Sequence, residues 1–375
     1  MSRQGAQGGG QPRDWWAQLY DPRAPDTGRA RASDSLDERY RSVSRTLTDA
    51  SGAEPGPSGT VDPEPSGVLP VTDPGSVAEV VPDTVLEGTR YGCTALRAAS
   101  VRGEAARRAG ELRTDALLVV RFGAGEDGLL LAAVAAGARS GPGGHRAARE
   151  VCHSIAAAVG RSSARLVADL RADRRSELQP GLHRLTDRTF GRLRAKAAAL
   201  GLEPGGYTAD LRCLLLPADP RCRTRVAFGT GGGGLFRLRG GAWQDIEPPA
   251  TVSRPPEGDA VIGRDPAAGA AAARDGFTPA QPPEPAPAEP FRFRSCASDP
   301  GDVLLLCGPG LAEPLRVALS HAGEPHAEPT LADRLAARWA PPGGELPGPG
   351  AYLDELGRGV EGFDGDRTAV TVWES

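Results

Sequence analysis

Two features that direct proteins to nucleic acid or to a membrane are missing from this chain. Its 375 residues carry 44 Lys plus Arg against 48 Asp plus Glu, a net charge of -4, which gives no general pull toward a polyanion or an anionic lipid surface. The longest nearly apolar run, Leu129 to Ala138, has ten residues, against the roughly 20 needed to span a hydrocarbon core. Neither nucleic acid nor membrane is therefore expected as a partner. The opening MSRQGAQGGGQPRDWW has no hydrophobic stretch of the secretory kind, so a cytoplasmic location is expected. Lys196 is the only lysine, which with the alanine content suggests a GC-rich, bacterial coding sequence.

Paired cysteines are missing too. Cys93, Cys152, Cys213, Cys222, Cys296 and Cys307 contain no C-x-x-C, and the five histidines show no zinc-ligand spacing relative to them. In a reducing cytosol these are expected to be small buried thiols. Only an oxidising compartment would leave room for a bridge from Cys213 to Cys222 across a hairpin.

Glycine and proline, in contrast, are abundant, with 50 and 35 residues, and they are concentrated. Residues 51–82 hold twelve of them in 32 positions with few branched aliphatics, too little apolar surface to offset chain entropy. Residues 248–290 hold eleven prolines, in strings such as QPPEPAPAEP that favour a solvated, extended backbone. The expected organisation is a tail over 1–50, a linker over 51–90 and a folded domain over 91–375 interrupted by a Pro-rich loop at 248–290. Within the tail, Asp14 is placed to cap a short helix carrying Trp15, Trp16, Leu19 and Tyr20 along one side, either folded onto its own domain or serving as a docking peptide for a partner. Ser35 to Glu38 fits a capping box ahead of Leu36, Tyr40, Val43 and Leu47 at helical spacing.

From Tyr91 onward the pattern is that of an α+β domain. Leu96 to Val101, Ala116 to Phe122 and Leu129 to Ala135 read as strands, the last two as a hairpin around GAGEDG. His145 to Val159 and Gly181 to Leu200 read as helices, the second with an arginine-rich outer face. Strands return at Leu211 to Leu216, Arg225 to Phe228, Leu235 to Leu238, Val303 to Cys307 and Ala369 to Trp373, with helices at Leu331 to Trp339 and Tyr352 to Arg358. The stretch FGTGGGGLFRL lacks the GK[ST] of a phosphate loop and no helix is expected after it, so it reads as a tight turn between strands. Arg171, Arg174, Arg175, Arg184, Arg188, Arg192 and Arg194 suit either a solvated helix face or a surface for a phosphoprotein, and the interspersed acids favour the first.

Four segments carry the chemistry. RTDALLVVRF places Asp115 at a strand start, LLLAAVAAGARS ends a strand in a small-residue turn, GDVLLLCGPGLAEPL repeats that design at Gly308 to Gly310, and FDGDRTAVTVW places Asp366 before the final strand. In this order, with YTADLRCLLL, RVAFGTGGGGLFRLRGGAW and LAARWAPP to VTVW between and after them, the chain resembles the metal-dependent protein phosphatases of the PPM or 2C type over about Leu96 to Trp373. The resemblance implies a four-layer α/β/β/α sandwich with two antiparallel sheets. It also implies removal of phosphate from serine or threonine by a water held between two Mn²⁺ or Mg²⁺ ions, and a phosphoprotein or other protein as partner.

Hard cations of this kind require carboxylate oxygens. By the resemblance Asp115 and Asp366 stand at acidic metal positions and Gly137 at a position whose carbonyl ligates metal. Ala136 and Pro309, however, replace expected aspartates, and Thr230 replaces the acid of the Gly-Asp turn. Two divalent cations about 4 Å apart repel by roughly 17 kcal/mol at an effective dielectric of about 20, so the loss of half the carboxylates implies a pseudophosphatase. An active phosphatase would need replacement acids, for which Asp127, Asp302, Glu313 and Asp364 are the candidates. The arginine or histidine expected ahead of Asp115 has Arg107, Arg108 and Arg113 nearby.

Overall fold

The computed structural model describes residues 67–91, 94–139, 141, 143–203, 205–247, 290–321, 328–340 and 346–375. The Trp15 to Tyr20 segment, the helix expected around Leu36, Cys93 and the Pro-rich stretch up to residue 289 lie outside the described residues. The chain divides into two compact units, Met1–Glu64 and Pro65–Ser375, and the elements below belong to the second.

Eleven strands are described, in two antiparallel sheets. The first contains β1 (Thr84–Tyr91), β2 (Thr94–Val101), β7 (Gly234–Arg239), β8 (Ala242–Asp245), β10 (Val303–Cys307) and β11 (Arg367–Glu374), in the order β1-β2-β11-β10-β7-β8. The second contains β3 (Asp115–Phe122), β4 (Leu129–Gly137), β5 (Ala209–Pro217), β6 (Thr224–Thr230) and β9 (Arg292–Ala297), in the order β3-β4-β5-β6-β9. The helices are α1 (Glu104–Ala109), α2 (Gly144–Arg161), α3 (Ser163–Arg171), α4 (Arg175–Ala199), α5 (Pro309–Ser320), α6 (Leu331–Trp339) and α7 (Pro349–Gly357).

The alternation of side chains along each strand explains why the central strands read as unbroken apolar runs. In β4, Leu129, Leu131, Ala133 and Ala135 join one core with α2, α3 and α4, while Leu130, Ala132 and Val134 join another between the sheets. In β10, Val303, Leu305 and Cys307 pack beneath α5, α6 and α7, while Leu304 and Leu306 face the opposite sheet. Each central strand is thus buried on both faces, with helices outside both sheets. This is the expected four-layer α/β/β/α sandwich.

The C-terminal strand is locked in place by aromatic packing. Trp373 donates from Nε1 to the Trp339 carbonyl at 2.6 Å, and Trp339 stacks on Tyr352 with ring centroids 5.1 Å apart. On the other face, a charged pair joins the sheets. Arg225 on β6 donates from Nε to Glu374 Oε1 at 2.7 Å and from Nη2 to Oε2 at 2.9 Å, with side chains 1% and 0% exposed. Both groups are desolvated, so each depends on the other for its stability.

Several expectations are corrected. The sheet begins at Thr84, inside the linker expected over 51–90. β1 is an edge strand paired along its length with β2, and its middle residues are exposed, so it lacks the apolar signature that marks a buried strand. Helix α4 starts at Arg175, ahead of Pro180, because Leu178 and Leu182 are both buried and carry the helix across the proline. The segments β8, β9, α1, α3 and α5 were not expected from the sequence. The glycine-rich stretch is the expected tight turn between two strands, and since β6 and β7 belong to different sheets it forms a corner between layers. Gly231 and Gly233 take positive φ values of 80° and 99° there, which L side chains adopt only with strain. Cys213 and Cys222 are free thiols, so the conditional bridge between them is absent.

Because the Arg225–Glu374 pair is so deeply buried, removing either partner strands the other. Arg225→Ala and Glu374→Ala are each expected to cost about 3–5 kcal/mol of unfolding free energy, read from urea denaturation. Replacing both by leucine is expected to cost less than either single change.

Candidate functional site

Strand register brings the acidic positions to one end of the sandwich. Asp115 opens β3 and lies opposite Ala136 at the end of β4, and Ala136 in turn lies opposite Asp210 at the start of β5. The turn from β10 into α5 contributes Pro309 and Gly310, and the approach to β11 contributes Asp364 and Asp366. These residues, with Gly137 and Glu313, line one cavity of about 430 Å³. Residues separated by 251 positions in the chain, Asp115 and Asp366, are therefore neighbours.

The Asp366 carboxylate is enclosed by protein donors. Its Oδ1 accepts from the Gly103 amide at 2.8 Å. Its Oδ2 accepts from the Thr114 amide at 2.6 Å, the Thr114 hydroxyl at 2.8 Å and the Asp115 amide at 3.2 Å. Gly103 is the residue that precedes α1, so one carboxylate ties the start of that helix to the start of β3. Three of these four donors converge on Oδ2, while Oδ1 accepts one and keeps a lone-pair direction free.

Asp115 is held differently. It is 5% exposed, and its Oδ2 accepts from the Thr368 hydroxyl at 2.7 Å, which lies 2.6 Å from the Ser100 hydroxyl. Burial first, and then the negative charge of Asp366, push its carboxyl up to about 8 from an ordinary 3.8. At neutral pH this side chain is mostly the neutral acid.

The other sequence candidates divide, two on the cavity and two away from it. Asp364 lines the cavity and pairs with Arg108 at 2.7 Å, both side chains being exposed. Glu313 also lines it. Asp127 pairs with Arg171 and Asp302 with Arg239, away from the cavity, because both serve loops at other edges of the sheets. Arg107 is bonded to Asp83 and Arg113 to the Pro82 carbonyl, so neither reaches into the cavity. Arg139 does line it. Asp210 was missed by the sequence reading, although an aspartate at the head of an apolar strand was the signal that singled out Asp115.

The two glycines have steric reasons to be glycine. A Cβ at Gly310 would run into the Asp366 carbonyl, and one at Gly137 into the Gly144 carbonyl. Their presence is accounted for by backbone packing alone. Among the described residues, no group of three or more His, Cys, Asp or Glu is arranged to hold a metal ion.

Two face-packed antiparallel sheets, helices outside both, and an acid-bearing cavity at the strand ends define the architecture of the phosphatase 2C class. The protein phosphatase 2C family model matches residues 102–339, more than half of the chain, and the chain belongs to that family. No curated protein matches it. Among solved structures, PppA, described as a key regulatory component of T6SS in Pseudomonas aeruginosa, is 18% identical. That match covers 77% of this chain and 100% of PppA, at a TM-score of 0.41. The S. agalactiae serine/threonine phosphatase is 14% identical over 75% of this chain and 100% of its own, at 0.43. The Mycobacterium tuberculosis serine/threonine phosphatase PstP/Ppp is 17% identical over 75% and 99%, at 0.38. No helix among the described residues is long and apolar enough to cross a membrane.

Two outcomes are expected of the site residues. Asp366→Asn puts an amide where one of the four donors now points, and is expected to cost about 2 kcal/mol of stability or more in the presence of chelator, measured by urea unfolding. For Asp115, the folded-state pKa lies above the unfolded value, so the folded protein binds the extra proton between about pH 4 and 8. Its contribution to stability is full below 4 and is lost as pH rises through about 8. Unfolding free energy measured across that range is expected to fall less steeply in Asp115→Asn than in the unsubstituted chain.

Proposed function

We propose that this chain is a pseudophosphatase, a phosphatase 2C domain that binds a protein partner without hydrolysing phosphate through a two-metal centre. The reading is carried by one observation: Ala136, directly opposite Asp115, and Pro309, in the same cavity wall, offer no side-chain oxygen. A pair of hard cations needs several carboxylate oxygens. Of the two acids retained at those positions, Asp366 engages Oδ2 with three protein donors and Oδ1 with one, and Asp115 accepts from the Thr368 hydroxyl. With no described group of three or more His, Cys, Asp or Glu arranged to hold a metal ion, the residues present do not fit the Mn²⁺ or Mg²⁺ pair that the family uses. The Trp15, Trp16, Leu19 and Tyr20 segment remains a candidate docking peptide, because bulky aromatic anchors concentrate binding energy. A protein in the cytoplasm, phosphorylated or not, is the partner this reading predicts.

Asp210 supports a second reading. It lies in register with Ala136 and on the same cavity, so a carboxylate is present one strand away from the expected one. On that reading the chain is an active Mn²⁺- or Mg²⁺-dependent serine/threonine phosphatase with a displaced ligand.

Calorimetric titration of Mn²⁺ into the purified protein, with a phosphopeptide release assay at each metal level, separates the two. The pseudophosphatase is expected to show no tight two-site binding and no turnover. Metal-dependent turnover that disappears in Asp210→Asn would establish the enzyme instead.

A further inference from the structure

The arginines on the outer face of α4 are not used by the cavity. Arg184, Arg188 and Arg192 follow one another at four-residue intervals, so they stack along one side of the helix, and Arg194 lies close by; all four are exposed. None of the four has an ion-pair partner among the described residues. The neighbouring acids are engaged elsewhere: Asp187 lies 3.5 Å from His183, Asp169 bonds Arg174 at 2.6 Å, and Glu177 lies 3.6 Å from Arg165. Like charges at this spacing repel and weaken a helix, so the stripe is held at a cost that folding does not explain.

A groove runs beside the stripe. It lies between α3 and α4, has a volume of about 140 Å³, and has Leu166 and Leu185 at its floor with Arg184, Arg188, Asp169 and Glu177 in its walls. A Cβ at Gly181 would meet nothing, so the groove is open at that point. Asp169 and Glu177 are already paired with Arg174 and Arg165, so Arg184 and Arg188 are the wall arginines left to meet a ligand. With Leu166 and Leu185 beneath them they suit one that is part apolar and part anionic.

We propose that this groove docks an extended, Glu- or Asp-rich peptide segment of a partner protein, whose carboxylates pair with Arg184, Arg188 and Arg192 while an apolar side chain rests on Leu166 and Leu185. Four residues of α-helix advance about 6 Å, and alternate side chains of an extended chain recur at about 6.7 Å, so carboxylates on every second residue meet successive guanidinium groups. Arginine and carboxylate form the paired, planar hydrogen bonds that make such contacts specific. Nucleic acid is the poorer match, since no aromatic ring lines the groove for base stacking. None of these residues lines the Asp115 cavity, so the inference stands whether or not that cavity turns over substrate.

Fluorescence anisotropy on the full chain, with a labelled peptide carrying Glu at alternate positions and a central Leu, tests it. Combined Arg184→Glu, Arg188→Glu and Arg192→Glu is expected to weaken binding about tenfold or more, while Arg90→Glu on the exposed edge strand leaves it unchanged. Raising salt from about 50 to about 300 mM is expected to weaken it as well. The corresponding triple glutamine variant decides the matter if charge reversal disturbs folding, which thermal melting followed by circular dichroism reports. Absence of peptide binding by the unsubstituted chain overturns the proposal, as does binding indifferent to both triple variants. Tighter binding of a single-stranded oligonucleotide at the same salt, lost in the triple variants, also overturns it.

Discussion

The carboxylate of Asp366 is the constraint from which the geometry of the cavity follows. By accepting from the amides of Gly103, Thr114 and Asp115 and from the Thr114 hydroxyl, it joins the last strand of one sheet to the first strand of the other at the end where the family's chemistry takes place. A buried carboxylate is costly unless its lone pairs are satisfied, and here the satisfaction comes from the protein. The same group that resemblance assigns to a metal is thereby a structural knot, and its negative charge is a reason that the neighbouring Asp115 keeps its proton.

The sheets around this knot do not depend on a metal. The leucines, valines and alanines of β4, β5, β10 and β11 are shared between the inter-sheet core and the cores beneath the helices, and burial of that surface stabilises the sandwich whatever occupies the cavity. Ala136 and Pro309 sit at strand ends where the apolar pattern is already complete. A scaffold stabilised in this manner does not rely for its packing on which side chains stand at these two positions.

Much of the fold was legible because two-sided burial writes itself as apolar runs: LLLAAVAA and VLLLC are strands in any reading. The elements that escaped did so for stated physical reasons. β1 is an edge strand with an exposed middle, and α4 is carried through Pro180 by packing. The glycine corner was legible as a turn, but local turn chemistry does not reveal to which sheet the next strand belongs. At the site, the order of segments located Asp115, Ala136, Pro309 and Asp366. Asp210 passed unnoticed because its importance lies in a cross-strand neighbour, Ala136, that is 74 positions away in the chain.

Composition and periodicity alone implied an α+β domain, and the order of four segments carried the resemblance to the phosphatase 2C family, since residue identity at strand ends is a property of the linear chain. Tertiary structure decided what the surviving acids do. Whether a carboxylate is charged, saturated or open to a ligand depends on which amides and hydroxyls surround it, and those groups reach Asp115 and Asp366 from β2, β3 and β11, segments that only folding brings together.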